Sequence, residues 1–272
     1  RAAAGALGTK LVELDEWTCC GATFPVAKDS HIALSGPARI LASAGDGPTR
    51  LVTLCSFCYN TLKRTNHALA TDRDRRDKVN TFIEEDYQCD TRVVHLLEVL
   101  RDEPGFKALA ERVNGRLKGL KGAPYYGCLL LRPAEEVQFD DPERPTILED
   151  FLASLGCDAI DFPHRTECCG GFLTVSSPEV TAQASRRIVE SAAKHGADLL
   201  TTTCPLCFYN LDRCQQDWEA HSALPRVPVV YFSQLLALAL GEEACLDSDT
   251  FCVDPRPVLA RWLVSANDNA SS

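Results

Sequence analysis

"GADLLTTTCPLCFYNL", residues 196–211, passes from an apolar, β-prone run into a Cys-x-x-Cys pair at the head of a helical pattern. The run at 198–202 predicts a strand, and Pro205, just inside the cysteine pair, is typical of the first turn of a helix. Cys204 and Cys207 are therefore expected at the carboxyl end of a strand, where open α/β sheets build their sites. The stretch predicts a parallel α/β fold with a cysteine site at one sheet edge.

The same pattern occurs earlier in the chain. "GPTRLVTLCSFCYNTL", residues 47–62, matches residues 196–211, and in both copies a Cys-Cys-Gly precedes the Cys-x-x-Cys with 34 residues between the cysteine pairs. At a constant offset of 149 residues, four cysteines match four others: Cys19, Cys20, Cys55 and Cys58 match Cys168, Cys169, Cys204 and Cys207. Solenoid units run about 20 to 50 residues, so this longer repeat indicates a duplicated domain.

Each copy reads strand, helix, strand, an order that requires parallel pairing. The matched runs are residues 10–14 and 158–162 for the first strand, 38–45 and 184–197 for the helix, and 50–54 and 198–202 for the second strand. We therefore predict an α/β protein of two tandem pseudo-repeat domains, residues 1–118 and 119–272, packed about a pseudo-twofold axis. A helix that runs into a Gly- and Pro-marked connection is expected over residues 106–124.

Composition narrows the class of protein. With 45% hydrophobic and 24% charged residues, the chain has the balance of a soluble globular protein. Its apolar runs are too short to span a bilayer and no signal-peptide pattern opens the sequence, which predicts a cytoplasmic protein without a direct membrane span. The net charge of -10 disfavours a nucleic-acid partner, because phosphate binding needs clustered Lys and Arg. Proteins and small molecules are the expected partners.

Fourteen cysteines in such a chain indicate metal or redox chemistry rather than a disulfide framework. One further cysteine, Cys128 in "YYGCLLLRP", precedes the second Cys-Cys pair, and the repeat offset places its counterpart before Arg1. The sequence opens on Arg1 and contains no Met. We interpret residue 1 as a cut that removed the first strand and first cysteine of the N-terminal copy.

Adjacent cysteines bear on the kind of metal site. A structural zinc site uses four tetrahedral ligands, usually from two Cys-x-x-Cys-like pairs, and two neighbouring thiolates close awkwardly on one small ion. A polynuclear cluster lets each thiolate take a different iron. A disulfide between Cys168 and Cys169 would be strained, since bridged Cα atoms usually lie farther apart than neighbours do. Iron and sulfide are favoured, and zinc and a disulfide remain alternatives.

"CCG" followed by "CSFCYN" or "CPLCFYN", and preceded by "YYGCLLLRP", resembles the cysteine-rich CCG domains of the heterodisulfide reductase B component and its bacterial relatives, including the sulfur-oxidation version. The resemblance covers nearly the whole chain. It implies that each motif binds a noncubane [4Fe-4S] cluster through five cysteines and that the two clusters face a disulfide substrate between the domains. The implied ligands are Cys128, Cys168, Cys169, Cys204 and Cys207 for the C-terminal cluster, and Cys19, Cys20, Cys55 and Cys58 for the N-terminal cluster, whose fifth ligand is absent from this sequence.

The resemblance implies the catalytic iron–sulfur subunit of a heterodisulfide reductase-like complex, which cleaves or forms disulfide or persulfide bonds. The chain has neither a GxGxxG fingerprint nor a ferredoxin cysteine run. A ferredoxin-like cubane [4Fe-4S] subunit and a flavin-containing subunit are therefore the expected partners, and a small disulfide or thiol, or a protein-bound persulfide, is the expected substrate. Two other functions stay open: an electron-relay subunit of a dehydrogenase or quinone-linked complex without direct substrate contact, and a zinc-bound scaffold.

Five cysteines have no partner in the repeat and are predicted to be buried structural thiols: Cys89, Cys157, Cys214, Cys245 and Cys252. Cys214 follows Cys207 by two helical turns, so a place facing the cluster pocket is the alternative for it. His67 and His95 are expected to be helix histidines with satisfied hydrogen bonds rather than catalytic groups. Arg132 is a candidate for binding an anion, with a surface ion pair as the alternative.

Overall fold

A computed structural model of the chain describes residues 1–15, 17–21, 31–45, 50–246 and 251–263. The chain divides into two compact units. The carboxyl unit comprises Arg1–Leu11, Leu100–Cys128 and Glu143–Ser272, and the amino unit comprises Val12–Val99 and Leu129–Pro142. The chain thus leaves the carboxyl unit directly after Cys128 and returns to it at Glu143. The domain boundary at residue 118 concerns the sequence repeat and stays a prediction.

The described residues form helices and parallel strands. The helices are α1 Ala2–Ala6, α2 His31–Ala42, α3 Ser56–Thr71, α4 Arg73–Ile83, α5 Leu96–Asp102, α6 Phe106–Val113, α7 Ala134–Val137, α8 Ile147–Ser154, α9 Pro178–Lys194, α10 Pro205–Arg213, α11 Phe232–Ala239 and α12 Arg256–Leu263. The strands are β1 Arg50–Thr53, β2 Arg92–His95, β3 Lys121–Tyr125, β4 Asp158–Ala159, β5 Leu199–Thr202 and β6 Val229–Tyr231. None of the helices in these stretches combines the length and the apolar character needed to cross a bilayer.

The carboxyl unit contains a four-stranded parallel sheet in the order β4-β3-β5-β6. All four residues of β5 are buried, as expected for an inner strand covered on both faces. This confirms the strand predicted at 198–202. The strand predicted at 158–162 is shorter, because only Asp158 and Ala159 pair with β3.

The amino unit contains the parallel pair β1-β2, in which Val52 lies opposite Val94. The strand predicted at 50–54 is confirmed, and the predicted helices at 38–45 and 184–197 fall largely within α2 and α9. Residues 10–14, all of them described, form no strand. The side chain of Val12 is 78% exposed, so this run has no buried face that would hold it in a sheet. The α/β class with parallel sheets is confirmed, and the pseudo-twofold axis stays a prediction.

The predicted connection over 106–124 differs from the structure. Helix α6 ends at Val113, where Asn114 and Gly115 adopt left-handed φ values of 52° and 63°. Both backbone conformations stop a right-handed helix. The segment then becomes β3, the strand between β4 and β5. The apparent linker is therefore part of the sheet of the carboxyl unit.

Each unit has its own aromatic core. In the carboxyl unit, Phe151 lies 6.3 Å from Phe106 and 6.1 Å from Phe232 between ring centroids. In the amino unit, Tyr59, His95 and Phe139 form a triangle of edge-to-face rings 5.7 to 5.9 Å apart.

Phe139 explains why residues 129–142 belong to the amino unit, since its ring completes that triangle. His95, expected on a helix, instead ends β2. Burial lowers the pKa of His95 to about 3, so the ring is neutral at physiological pH.

Candidate metal centre

Strands β3 and β5 bring two cysteines to one sheet edge. The strands pair in parallel, with Tyr125 opposite Thr202. Cys128 follows the end of β3 and Cys204 follows the end of β5. Because the carboxyl ends of parallel strands open on the same edge, both thiols emerge there, as the sequence predicts.

Helix α10 adds the next cysteine. Cys204 is its N-cap, Pro205 is at its first position, and the Sγ of Cys204 accepts a hydrogen bond from the backbone N–H of Cys207 at 3.4 Å. Helix N-termini carry unpaired N–H groups and a positive dipole end, which favour a thiolate. Both side chains are buried. The helix start predicted at this Cys-x-x-Cys is confirmed.

The Cys-Cys-Gly loop is tied to the end of β3. The backbone N–H groups of Tyr126 and Gly127 donate to the carbonyl of Arg165 at 2.9 and 3.2 Å. The hydroxyl of Tyr125 donates to the carbonyl of Glu167 at 2.7 Å. These bonds fix the loop immediately before Cys168 beside the strand that delivers Cys128.

On its other side the loop rests against α9. Gly170 has φ 83°, and a Cβ on it would lie 3.0 Å from the Cα of Thr181. The Thr181 hydroxyl donates to the Gly170 carbonyl at 3.1 Å, and the Ser185 hydroxyl donates to the Cys169 carbonyl at 3.0 Å. Only glycine fits both the backbone conformation and the close approach to α9.

The two adjacent cysteines contact different sulfur atoms. The Sγ of Cys169 lies 3.4 Å from the Sγ of Cys207, whereas the interaction with the thiol of Cys128 is the largest influence on the pKa of Cys168. The thiol of Cys168 also interacts with that of Cys169, and the thiol of Cys207 with that of Cys204. The five sulfurs therefore form one continuous set, in the order Cys128, Cys168, Cys169, Cys207 and Cys204.

Proton sharing within this set is uneven. Hydrogen bonds from Cys128 and then Cys169 lower the pKa of Cys168. The pKa of Cys128 is raised chiefly by its bond to Cys168, and that of Cys207 chiefly by its bond to Cys169. Cys168 thus loses its proton more readily than Cys128, Cys169 or Cys207. Metal binding would replace the protons that these three sulfurs retain.

The amino unit repeats the central contact. The Sγ of Cys20 lies 3.3 Å from the Sγ of Cys58, which reproduces the contact between Cys169 and Cys207. Gly21 has φ 72°, comparable with the 83° of Gly170. The repeat seen in the sequence therefore extends to the geometry of the Cys-Cys-Gly turn.

The amino-unit set is looser. Cys55 is the N-cap of α3 and hydrogen-bonds with Cys58, a bond that lowers the pKa of Cys55. Cys19 is exposed, whereas Cys20 is buried. The structure thus brings together Cys20, Cys55 and Cys58 in this unit.

The donor set fits an iron–sulfur group, because cysteine thiolates are the ligands that such groups use and five cysteines come together in the carboxyl unit. Glycines lie beside the sulfurs: a Cβ on Gly127 would lie 3.3 Å from the Sγ of Cys207, and one on Gly171 would lie 3.7 Å from the Sγ of Cys169. The backbone thereby leaves the space next to these thiols free of Cβ atoms.

Gly127→Ala is expected to lower the iron content of the chain. Gly127 has φ 66°, so alanine there costs about 1–2 kcal/mol, and its Cβ would crowd the Sγ of Cys207. Gly8→Ala is the matched control, because Gly8 has φ 72° with no atom near its added Cβ. Iron per chain and thermal unfolding are measured for both variants. Equal iron retention in the two variants would show that crowding of the sulfur is unimportant.

The cysteines outside the repeat are not uniformly buried. Cys157 and Cys214 are buried as predicted, whereas Cys89, Cys245 and Cys252 are half-buried. The Sγ of Cys214 donates to the carbonyl of Leu211 at 3.2 Å, a bond within its own helix end.

Two other residues complete the comparison with the sequence. Arg132, a candidate for binding an anion, donates to the carbonyl of Pro142 at 2.7 Å. Sequence reasoning missed Asn210, whose Nδ2 lies 3.5 Å from the Sγ of Cys169. The sequence feature that could have identified Asn210 was its position three residues after Cys207, on the same face of α10.

The chain is similar to known cysteine-rich proteins. The family model for the cysteine-rich domain, CCG, matches residues 1–63 and 123–212. The chain is 35% identical to the 8-methylmenaquinol:fumarate reductase membrane anchor subunit of Wolinella succinogenes, over 88% of this chain and 84% of that protein. It is 29% identical to a protein of Archaeoglobus profundus named as like the B component of heterodisulfide reductase, over 95% of this chain and 89% of that protein.

A third relative is the B component of the ferredoxin:CoB-CoM heterodisulfide reductase of Methanosarcina mazei, 28% identical over 70% of this chain and 65% of that protein. Among solved structures, a hypothetical protein from Helicobacter pylori matches 92% of this chain with a TM-score of 0.68 and 17% identity. This chain spans about half of that protein, with 47% of its length covered. At this identity the likeness concerns the fold alone.

Proposed function

We propose that this chain is an iron–sulfur redox subunit of a multi-subunit reductase. It belongs to the cysteine-rich (CCG) domain family, and it has relatives named for the B component of heterodisulfide reductase. We further propose two noncubane [4Fe-4S] clusters. Five cysteines of the carboxyl unit would hold one, and Cys19, Cys20, Cys55 and Cys58 would supply the ligands of the other. The observation that carries the proposal is that Cys168 and Cys169, although adjacent, contact different sulfurs.

The reaction that we propose is the reductive cleavage of a disulfide or persulfide, or its reverse. Cleaving one disulfide consumes two electrons and two protons and yields two thiols. The two bound clusters, giving up one electron each, would supply the two electrons, and their iron would act as a Lewis acid for a released sulfur. The names of the heterodisulfide reductase relatives support this chemistry.

The proposed site has a buried side and a solvent-exposed side. Cys169, Cys204 and Cys207 are buried, and Cys168 is exposed. Phe172 and Leu173, directly after the Cys-Cys-Gly turn, are 39% and 40% exposed. These apolar side chains and the exposed sulfur form the side from which a small disulfide, a thiol or a protein-bound persulfide would approach.

Electrons must reach the subunit from elsewhere, because its sequence carries no flavin, nicotinamide or ferredoxin fingerprint. We propose a ferredoxin-like cubane [4Fe-4S] subunit and a flavin-containing subunit as partners, with the cytoplasm as the location. The isolated chain is then expected to reduce disulfides only negligibly with a nicotinamide as donor. Spectrophotometric oxidation of NADH at the rate of the full complex would contradict this.

Electron relay is the second candidate function. The relative at 35% identity is named as a subunit of a methylmenaquinol:fumarate reductase, an activity in which no disulfide is named. In this alternative the clusters would pass electrons between partner subunits without touching a substrate. The sulfur contacts support both functions equally.

One experiment separates the two candidates. The full chain, loaded with its clusters under anaerobic conditions and reduced chemically, is freed of excess reductant and mixed with either a small disulfide or a water-soluble quinone. We expect the disulfide to reoxidise the clusters, which is measured as the return of their visible absorbance, and two thiols to appear for each disulfide consumed. Reoxidation by the quinone alone, with no thiol released, would favour relay.

A further inference from the structure

Asn210 is a buried side chain close to one of the proposed ligands. It lies on α10 and is 3% exposed. Its Nδ2 lies 3.5 Å from the Sγ of Cys169 and 3.0 Å from the Oγ1 of Thr174. An amide nitrogen has two hydrogens, which matches these two acceptors.

Thr174 contacts both ends of the amide. Its Oγ1 lies 3.0 Å from the Nδ2 and 3.2 Å from the Oδ1 of Asn210, and 2.8 Å from the carbonyl oxygen of Gly171. The amide nitrogen is the end that lies toward Cys169. A thiolate ligand accepts hydrogen bonds, so the orientation suits a metal-bound Cys169.

The N-terminal copy shows that this contact depends on position along the helix. Asn210 follows Cys207 by three residues, and side chains three apart share a helix face. Asn60 follows Cys58 by only two and therefore points elsewhere on α3. Its Nδ2 donates to the carbonyls of Leu129 and Arg132 at 2.7 and 2.8 Å. A difference of one residue in position thus decides whether the asparagine amide donates to a cysteine sulfur or to backbone carbonyls.

We propose that Asn210 is a positioning residue that raises the reduction potential of the C-terminal cluster through its N–H···S bond to Cys169. This inference rests on the proposed function, because it requires a cluster on Cys169. Hydrogen bonds to cluster sulfurs are among the factors that set the potential. Reduction adds negative charge, so an N–H donor stabilises the reduced form more than the oxidised form.

Asn210→Leu removes the donor while keeping a side chain of similar size. Gln215→Leu is the matched control: Gln215 is also fully buried, and its amide nitrogen donates to the backbone carbonyls of Leu211 and Val227. Both full-length variants and the parent are loaded anaerobically, and their midpoint potentials are measured by redox titration followed by EPR. Iron per chain is determined on the same samples.

We expect Asn210→Leu to lower the equilibrium constant for cluster reduction about tenfold, equivalent to about 59 mV for a one-electron couple. Gln215→Leu should match the parent potential. If Asn210→Leu does not fold, Asn210→Asp keeps the shape, and its carboxylate can still accept from the Thr174 hydroxyl as the Oδ1 of Asn210 does. It lacks the N–H donor and should also lower the potential.

The possible failures can be told apart. Parental potential with parental iron in the Asn210 variants would overturn this inference and leave the proposed function standing. An equal fall in potential in Gln215→Leu would also overturn it, because the loss of any buried amide would then suffice. A parent chain that binds no iron would overturn both the inference and the proposed function.

Discussion

Cys169→Ser is expected to remove the C-terminal cluster while leaving the fold largely intact. Cys169 connects the two halves of the sulfur set, through its contacts with Cys168 on one side and Cys207 on the other. Serine is smaller and its hydroxyl is a poor ligand for iron compared with a thiolate. Iron and acid-labile sulfide per chain should fall by about half if both clusters are present in the parent, and the EPR signal of this cluster should disappear. Far-UV circular dichroism should remain that of the parent.

Cys214→Ser is the control for this prediction. Cys214 is also buried, at the C-cap of α10, but its sulfur donates to the carbonyl of Leu211. A hydroxyl can make the same bond, so iron content and the EPR signal should stay at the level of the parent. If iron survived in Cys169→Ser and fell in Cys214→Ser, the assignment of the five sulfurs would have to be redrawn.

Phe151→Ala is expected to destabilise the carboxyl unit by about 3–5 kcal/mol. The ring is fully buried in the core of this unit, in contact with Phe106 and Phe232. Its removal leaves a cavity that close-packed neighbours fill only in part. Denaturant-induced unfolding measures the loss as a change in the free energy of unfolding.

Phe106→Ala tests whether that loss depends on burial rather than on the ring contact alone. Phe106 shares the ring contact with Phe151 but is only half-buried. We expect a smaller loss of stability for Phe106→Ala, since less apolar surface leaves the interior. Equal losses in the two variants would contradict the core described for the carboxyl unit.

Local sequence patterns predicted the parts of the site that depend on local structure. The two Cys-x-x-Cys pairs lie at helix starts because a β-prone run, an N-cap position and, in the second copy, Pro205 act over a few residues. The offset between the copies predicted that Cys20 and Cys58 would repeat the relation of Cys169 and Cys207, and their sulfur contacts agree closely, at 3.3 and 3.4 Å.

Long-range packing accounts for what the sequence did not predict. Residues 129–142 follow Cys128 but belong to the amino unit, where the hydroxyl of Tyr59 donates to Val137 and Arg64 pairs with Glu136. No local pattern encodes those partners. Residues 10–14 have strand propensity, yet propensity yields to tertiary context where no neighbouring strand is available. Asn210 became a candidate only when its distance to Cys169 was known.

The most direct test of the central claim is the metal and sulfide content of the full chain, purified without oxygen. We predict iron and acid-labile sulfide in equal amounts, with zinc far below one atom per chain, and a loss confined to the C-terminal cluster in Cys169→Ser. Stoichiometric zinc without labile sulfide, unchanged by Cys169→Ser, would contradict the account and favour the zinc-bound scaffold.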